Sequence, residues 1–126
     1  MEMKINGKDV KLKFGVKFCR IMDEKHKIDY EGMQFGMGVV NALLGLEQKN
    51  VSVLSDIIDA ATKSEYHQDD VDDAIEDYAE REGGLKKLFE QVKSEMGKSP
   101  VVQETEKAFK NAPNDTKTNQ KKPTKA

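Results

Sequence analysis

MEMKINGKDVKL, residues 1–12, alternates charged and apolar side chains on either side of one Asn-Gly pair. A two-residue type I′ turn needs positive φ at both central positions, and Asn-Gly meets that need best. With Asn6-Gly7 as the turn, the register follows. Ile5 faces Lys8, Lys4 faces Asp9, Met3 faces Val10, Glu2 faces Lys11 and Met1 faces Leu12. One face then carries Met1, Met3, Ile5, Val10 and Leu12, and the other carries the opposite-charge pairs Lys4–Asp9 and Glu2–Lys11. A slip of one residue would destroy both patterns. A lone hairpin is barely stable in water, so helices must cover its apolar face. Its short strands and charged outer face discourage edge pairing, while its free edge leaves self-association between copies open.

Outward from the hairpin, the period changes from two to about 3.6. Phe14, Phe18, Ile21 and Met22 predict a helix over 15–27, with Gly15 letting the chain turn closely out of the strand. Met33, Met37, Val40, Leu43 and Leu44, with Phe35 between them, predict a second helix over 33–48, weakened by its glycines. Val53, Leu54, Ile57, Ile58 and Ala61 predict a third over 52–64, capped by Ser52. Val71, Ile75, Tyr78 and Ala79 predict an acidic helix over 70–82, with Asp69 or Asp70 as N-cap and Gly83-Gly84 ending it. Leu85, Leu88, Phe89, Val92 and Met96 repeat the pattern up to Gly97. Beyond Lys98 only Val101, Val102 and Phe109 are large and apolar, enough for one short helix begun at Ser99-Pro100. Residues 111–126, NAPNDTKTNQKKPTKA, are too polar to offset the entropy of ordering. The expectation is an α+β fold: an N-terminal β-hairpin on a bundle of four to five α-helices, with a flexible polar C-terminal tail. The folded domain is expected over 1–97. A short helix at most, then a flexible basic tail, is expected over 98–126.

Composition narrows the function. The 126 residues carry a formal charge of -2, with 35% charged and 37% hydrophobic residues. This balance argues against general nucleic-acid binding, which needs a basic excess. A single cysteine, Cys19, forbids an intramolecular disulfide and fits a reducing compartment. No apolar run approaches the roughly 18 residues of a membrane span, and the charged start is unlike a signal peptide. A soluble intracellular protein is expected.

Catalytic and metal chemistry find no motif. Counting from Asp69 or Asp70, the sixth position of a calcium loop is Ala74 or Ile75, where glycine is required. The acidic run reads as a solvated helix face. His26 and His67 lack partners at zinc spacing. Gly32, Gly36 and Gly38 match neither the dinucleotide fingerprint nor the P-loop and read as close helix packing or a bend. Cys19 reads as a small buried thiol, and no Gly-x-Ser-x-Gly elbow exists. A non-enzymatic protein without cofactor or metal is expected. Six methionines suggest an adaptable apolar surface, although most should fill the core.

Three stretches together, KINGKDVKLKFGVKFCRIMD at 4–23, GMQFGMGVVNALLG at 32–45 and VLSDIIDAAT at 53–62, resemble the tail assembly chaperones of long-tailed phages and prophages of Gram-positive bacteria. The resemblance covers about the first half of the chain. It implies a protein that binds the long tape measure protein in the host cytoplasm, keeps it soluble and helps recruit tail tube subunits, without entering the finished virion. It also implies, as in many such phages, a gene whose ribosomal frameshift adds a tube-binding domain to a minority of copies. The tail would then be the joint, and Lys121-Lys122 the place of a slippery A-rich run. Tape measure binding would use a groove beside the second helix, with Met33, Phe35, Met37, Val40 and Leu44 as contacts. The rival reading is a small regulatory adaptor whose acidic helix grips a basic protein.

Overall fold

The computed structural model describes the backbone of residues 1–30 and 33–110, and the side chains of 1–27 and 37–108. The expected tail over 111–126 lies outside the described residues.

The opening hairpin forms as its alternation predicts. β1 (Glu2–Ile5) pairs antiparallel with β2 (Lys8–Lys11), with Glu2 opposite Lys11, Met3 opposite Val10, Lys4 opposite Asp9 and Ile5 opposite Lys8. Asn6 and Gly7 take φ of 54° and 74°, the left-handed values that the turn demands. Lys4 Nζ and Asp9 Oδ1 are 3.5 Å apart on the outer face. Met3, Ile5 and Leu12 are buried on the inner one. At the exit, the Lys13 N–H donates to the Ala61 carbonyl at 2.9 Å, and Phe14 meets Phe18 edge-on with ring centroids 5.1 Å apart.

Six helices follow among the described residues, one more than the upper expectation, because the segment after Ser99 forms a full helix. These are α1 (Val16–Lys25), α2 (Gly38–Glu47), α3 (Val51–Ala61), α4 (Gln68–Glu82), α5 (Lys86–Lys98) and α6 (Pro100–Lys110). α3 lies at the centre, against α1, α2 and α4. Its Leu54, Ile57, Ile58, Ala60 and Ala61 are buried. Each large apolar side chain so placed contributes about 1.5–3 kcal/mol. α1 adds Phe18 and Met22, α4 adds Val71, Ala74 and Ile75, and α5 adds Leu88, Phe89, Val92 and Met96. β1 packs against α4, so the hairpin and the helices share one core.

Several boundaries differ from the sequence reading. The second helix starts at Gly38, not at residue 33. The stretch before it is a second hairpin, β3 (Lys27–Tyr30) with β4 (Met33–Gly36), in which Ile28 lies opposite Phe35 and Tyr30 opposite Met33. The Met33–Met37–Val40 spacing imitates a helix, but Gly36 and Gly38 weaken its first turns. The Met37 N–H donates to the His26 carbonyl at 3.3 Å and closes the base of this hairpin.

The caps shift as well. α3 is capped by Asn50, whose Oδ1 accepts the Val53 N–H at 3.1 Å, and not by Ser52. α4 begins two residues early, at Gln68 with His67 as N-cap, which puts Asp69 and Asp70 inside the first turn where they suit the helix dipole. Gly83 ends α4 at φ 76°, as expected. Gly97 lies within α5, and the break falls at Ser99 before Pro100, because proline cannot continue the hydrogen-bond ladder. Gly15 has negative φ and open space where a Cβ would stand, so the turn into α1 does not require glycine.

Two other glycines are required by packing. A Cβ on Gly38 would collide with the α1 backbone at Met22 and Asp23, and one on Gly45 would strike the Val53 side chain. The glycines of α2 thus let α1 and α3 approach closely.

Candidate functional site

α2 has two faces of opposite character. Gly38, Val39, Ala42, Gly45 and Leu46 point into the core. Met37, Val40 and Leu44 follow one another at i, i+3 and i+7, which places them along the opposite side. Met37 and Val40 are half-buried, and Leu44 is 54% exposed. Of the large apolar side chains described, only Val16, at 58%, and Val51, at 50%, are comparably open.

The five expected contact residues therefore divide. Met37, Val40 and Leu44 share the outer side of α2. Met33 and Phe35 belong to β4, and their side chains lie outside the described residues. A depression of about 510 Å³ lies elsewhere, between Met1 and Glu2 and the α5 residues Lys87, Glu90, Gln91, Ser94, Glu95 and Lys98. Its mixed charges offer no single ligand chemistry.

The methionines follow the plainer expectation where they are described. Met3, Met22 and Met96 are buried in the core, and Met37 alone stands at the edge of the candidate surface.

The acidic helix is a second feature. Asp69, Asp73, Glu76, Asp77 and Glu80 are exposed and line one side of α4, opposite the buried Val71, Ala74 and Ile75. This is a solvated face, as its spacing predicts.

A polar cluster that the sequence did not announce joins α1, α3 and α4. Lys25 Nζ stands 3.1 Å from Asp59 Oδ2 and 4.0 Å from Asp56 Oδ1, and donates to Gln68 Oε1 at 3.3 Å. Asp59 is buried, and its Oδ2 also accepts from Ser64 Oγ at 2.8 Å. Gln68 Nε2 donates to Ser55 Oγ at 2.7 Å, and Ser55 donates to Asp72. His26 Nε2 lies 3.4 Å from Asp56 Oδ2 without making a hydrogen bond. The serine hydroxyl is spent on a carboxylate and not on the imidazole, so the cluster lacks the nucleophile–base contact of a hydrolase. It is a fastener between helices. Its members are far apart in sequence, and no local periodicity reports such a pairing.

Cys19 is half-buried on α1. Burial, and then the Asp23 carboxylate, push its thiol above the ordinary value, while a side-chain hydrogen bond with Thr105 pulls the other way. Such a thiol stays protonated and is a poor nucleophile at neutral pH. Among the described residues no group of three or more His, Cys, Asp or Glu side chains could hold a metal ion, and no helix is long and apolar enough to cross a membrane.

Comparison with known proteins gives the family. No curated protein and no solved structure matched the chain. A family model described as phage tail assembly chaperone protein, TAC, matches residues 2–110. The match spans both hairpins and all six described helices, and the chain belongs to the phage tail assembly chaperone family.

Proposed function

We propose that this chain binds the tape measure protein during tail assembly in the host cytoplasm, keeps it soluble and helps to bring tail tube subunits to it. The observation that carries this reading is the open apolar stripe Met37–Val40–Leu44 on a domain whose other large side chains are mostly buried. A tape measure protein is long and helical, with apolar stripes that aggregate when uncovered. A helix in a groove is gripped through anchors at i, i+3, i+4 and i+7, the spacing that the α2 stripe presents from the other side. Many copies along one chain gain from avidity, so each contact can be weak. Met33 and Phe35 extend the contact along β4. The charged exterior, above all the acidic side of α4, keeps a coated complex in solution. A frameshift-extended form would carry the contact to the tube protein, with 111–126 as its joint. The family match makes a separate role as an adaptor for a basic protein the weaker reading.

The test is co-expression with the tape measure protein encoded in the same gene cluster, followed by pull-down. Soluble tape measure protein that co-purifies with many copies of this chain supports the reading. Tape measure protein that stays insoluble and unbound beside a folded chain overturns it.

A further inference from the structure

We infer that the open edge of the first hairpin is a self-association site, where β2 pairs antiparallel with β2 of a second copy of this chain about a two-fold axis at Val10. The pairing goes beyond the function proposed above and does not rest on it.

The two strands of the hairpin differ in their surroundings. β1 lies against α4, and Asn6 Nδ2 donates to Asp70 Oδ2 at 3.4 Å. β2 forms the other edge. Lys8, Asp9, Lys11 and Lys13 are exposed there, and Val10 is half-buried. An open depression of about 370 Å³ lies between β2 and the segment 61–66.

The ladder shows which backbone groups face that edge. The Leu12 N–H donates to the Met1 carbonyl at 2.9 Å, so Met1 and Leu12 form a hydrogen-bonded pair. Such pairs alternate with non-hydrogen-bonded ones along an antiparallel ladder. Met3–Val10 and Ile5–Lys8 are therefore bonded pairs too, and the N–H and C=O of Asp9 and Lys11 point away from β1. Lys13 has the same parity, and its N–H does point outward, to the Ala61 carbonyl at 2.9 Å. That bond ends the open edge: an added strand can pair with Asp9 and Lys11 but not with Lys13. Among the described residues no backbone group of another element pairs with Asp9 or Lys11.

Charge selects the occupant and the register. Two-fold pairing of β2 centred on Asp9 or on Lys11 puts like charges face to face. Centred on Val10, it sets Asp9 opposite the second copy's Lys11, and Lys11 opposite the second copy's Asp9. Each couple exchanges both backbone hydrogen bonds. The outer face then reads Glu2, Lys11, Asp9, Lys4 across the joined hairpins, alternating in sign at every step. Cross-strand pairs of opposite charge stabilise a sheet, and like charges directly opposite destabilise it. Within one copy the Lys4–Asp9 step of this row is already closed at 3.5 Å. Lys8 falls opposite Leu12 and meets no charge. The charges that blunt this edge against other strands thus admit its own copy. So short an edge buries little area, and the contact is weak and transient. Copies held side by side on one partner would form it at their raised effective concentration.

Two measurements on the full chain test the pairing. In wild type, amide hydrogen exchange read by NMR from micromolar to millimolar concentration should slow as concentration rises, above all at Asp9 and Lys11. The second is sedimentation of charge variants. Asp9→Lys sets lysine opposite lysine in a pair of like copies, and Lys11→Asp sets aspartate opposite aspartate, so each alone should stay monomeric. An equal mixture sets lysine against aspartate at both positions and should associate at least about tenfold more tightly than either variant alone. Exchange at Asp9 and Lys11 that does not respond to concentration overturns the pairing, and so does a mixture that associates no more tightly than its parts. If circular dichroism shows either variant unfolded, the wild-type exchange decides alone.

Discussion

Asp23 caps a helix to which it does not belong. It lies in α1, yet its Oδ1 accepts the Gly38 N–H at 2.9 Å, at the start of α2, whose own N-cap residue, Met37, supplies no side-chain bond. The contact is feasible only because Gly38 has no side chain: a Cβ there would occupy the α1 backbone. Replacement of Gly38 by alanine is expected to cost about 1–3 kcal/mol through overpacking. Asp23→Ala should cost about 1 kcal/mol through loss of the cap. Because the two act on one contact, the double variant should lose less than the sum. Urea unfolding followed by circular dichroism measures all three.

Lys25 is the cation of the fastener between α1, α3 and α4. Lys25→Met would remove the cation beside the buried Asp59 carboxylate, which also accepts from Ser64 Oγ. The expected cost is about 1–3 kcal/mol, below that of a fully buried pair because the Lys25 side chain is a quarter exposed. Lys27→Met removes only the exposed pair with Glu24 and should change stability by less than about 0.5 kcal/mol. Comparable losses in the two variants would contradict the assigned difference.

Cys19 gives a prediction about pH. Its thiol is pushed up by burial and by Asp23, so the folded chain holds this proton more tightly than the unfolded chain. The corresponding stability is fully present below the ordinary thiol value and is lost as pH rises through the raised one. Unfolding midpoints should therefore fall on the alkaline side of pH 9 more steeply in wild type than in Cys19→Ser. Iodoacetamide should also label Cys19 more slowly in the native chain than in urea at pH 8.

Leu44→Asp separates folding from binding. Its side chain is about half exposed, so the substitution should shift stability by less than about 1 kcal/mol. Solubilisation of the tape measure protein should nevertheless fall severely, and Met37→Asp should do the same. Val39→Asp, at a buried position on the other side of α2, should instead unfold the domain. Full solubilisation by a folded Leu44→Asp variant would remove α2 from the binding surface.

The first hairpin was legible to the residue because two independent signals, turn chemistry and paired alternation, admit one register. The helices α1, α3, α4 and α5 were legible from their apolar period. The second hairpin was not. Its Ile28, Tyr30, Met33 and Phe35 alternate only in pairs, and Glu31-Gly32 lacks the Asn-Gly signature, so the helical spacing beyond Met33 prevailed. Of the five contacts expected beside the second helix, the fold puts Met37, Val40 and Leu44 along one side of α2. The Lys25 fastener and the Asp23 cap were invisible, because tertiary contacts between distant elements leave no trace in local periodicity.

The bond from Ser99 Oγ to the Phe14 carbonyl spans 85 positions of the chain. It has a consequence in time. During synthesis the opening hairpin and α1 exist long before α5 or α6, at elongation rates of about 5–20 residues per second. For some seconds the nascent domain exposes Phe14, Phe18 and Met22 as a half-built core. A tail assembly chaperone thus passes through a stage in which its own apolar surfaces are unguarded.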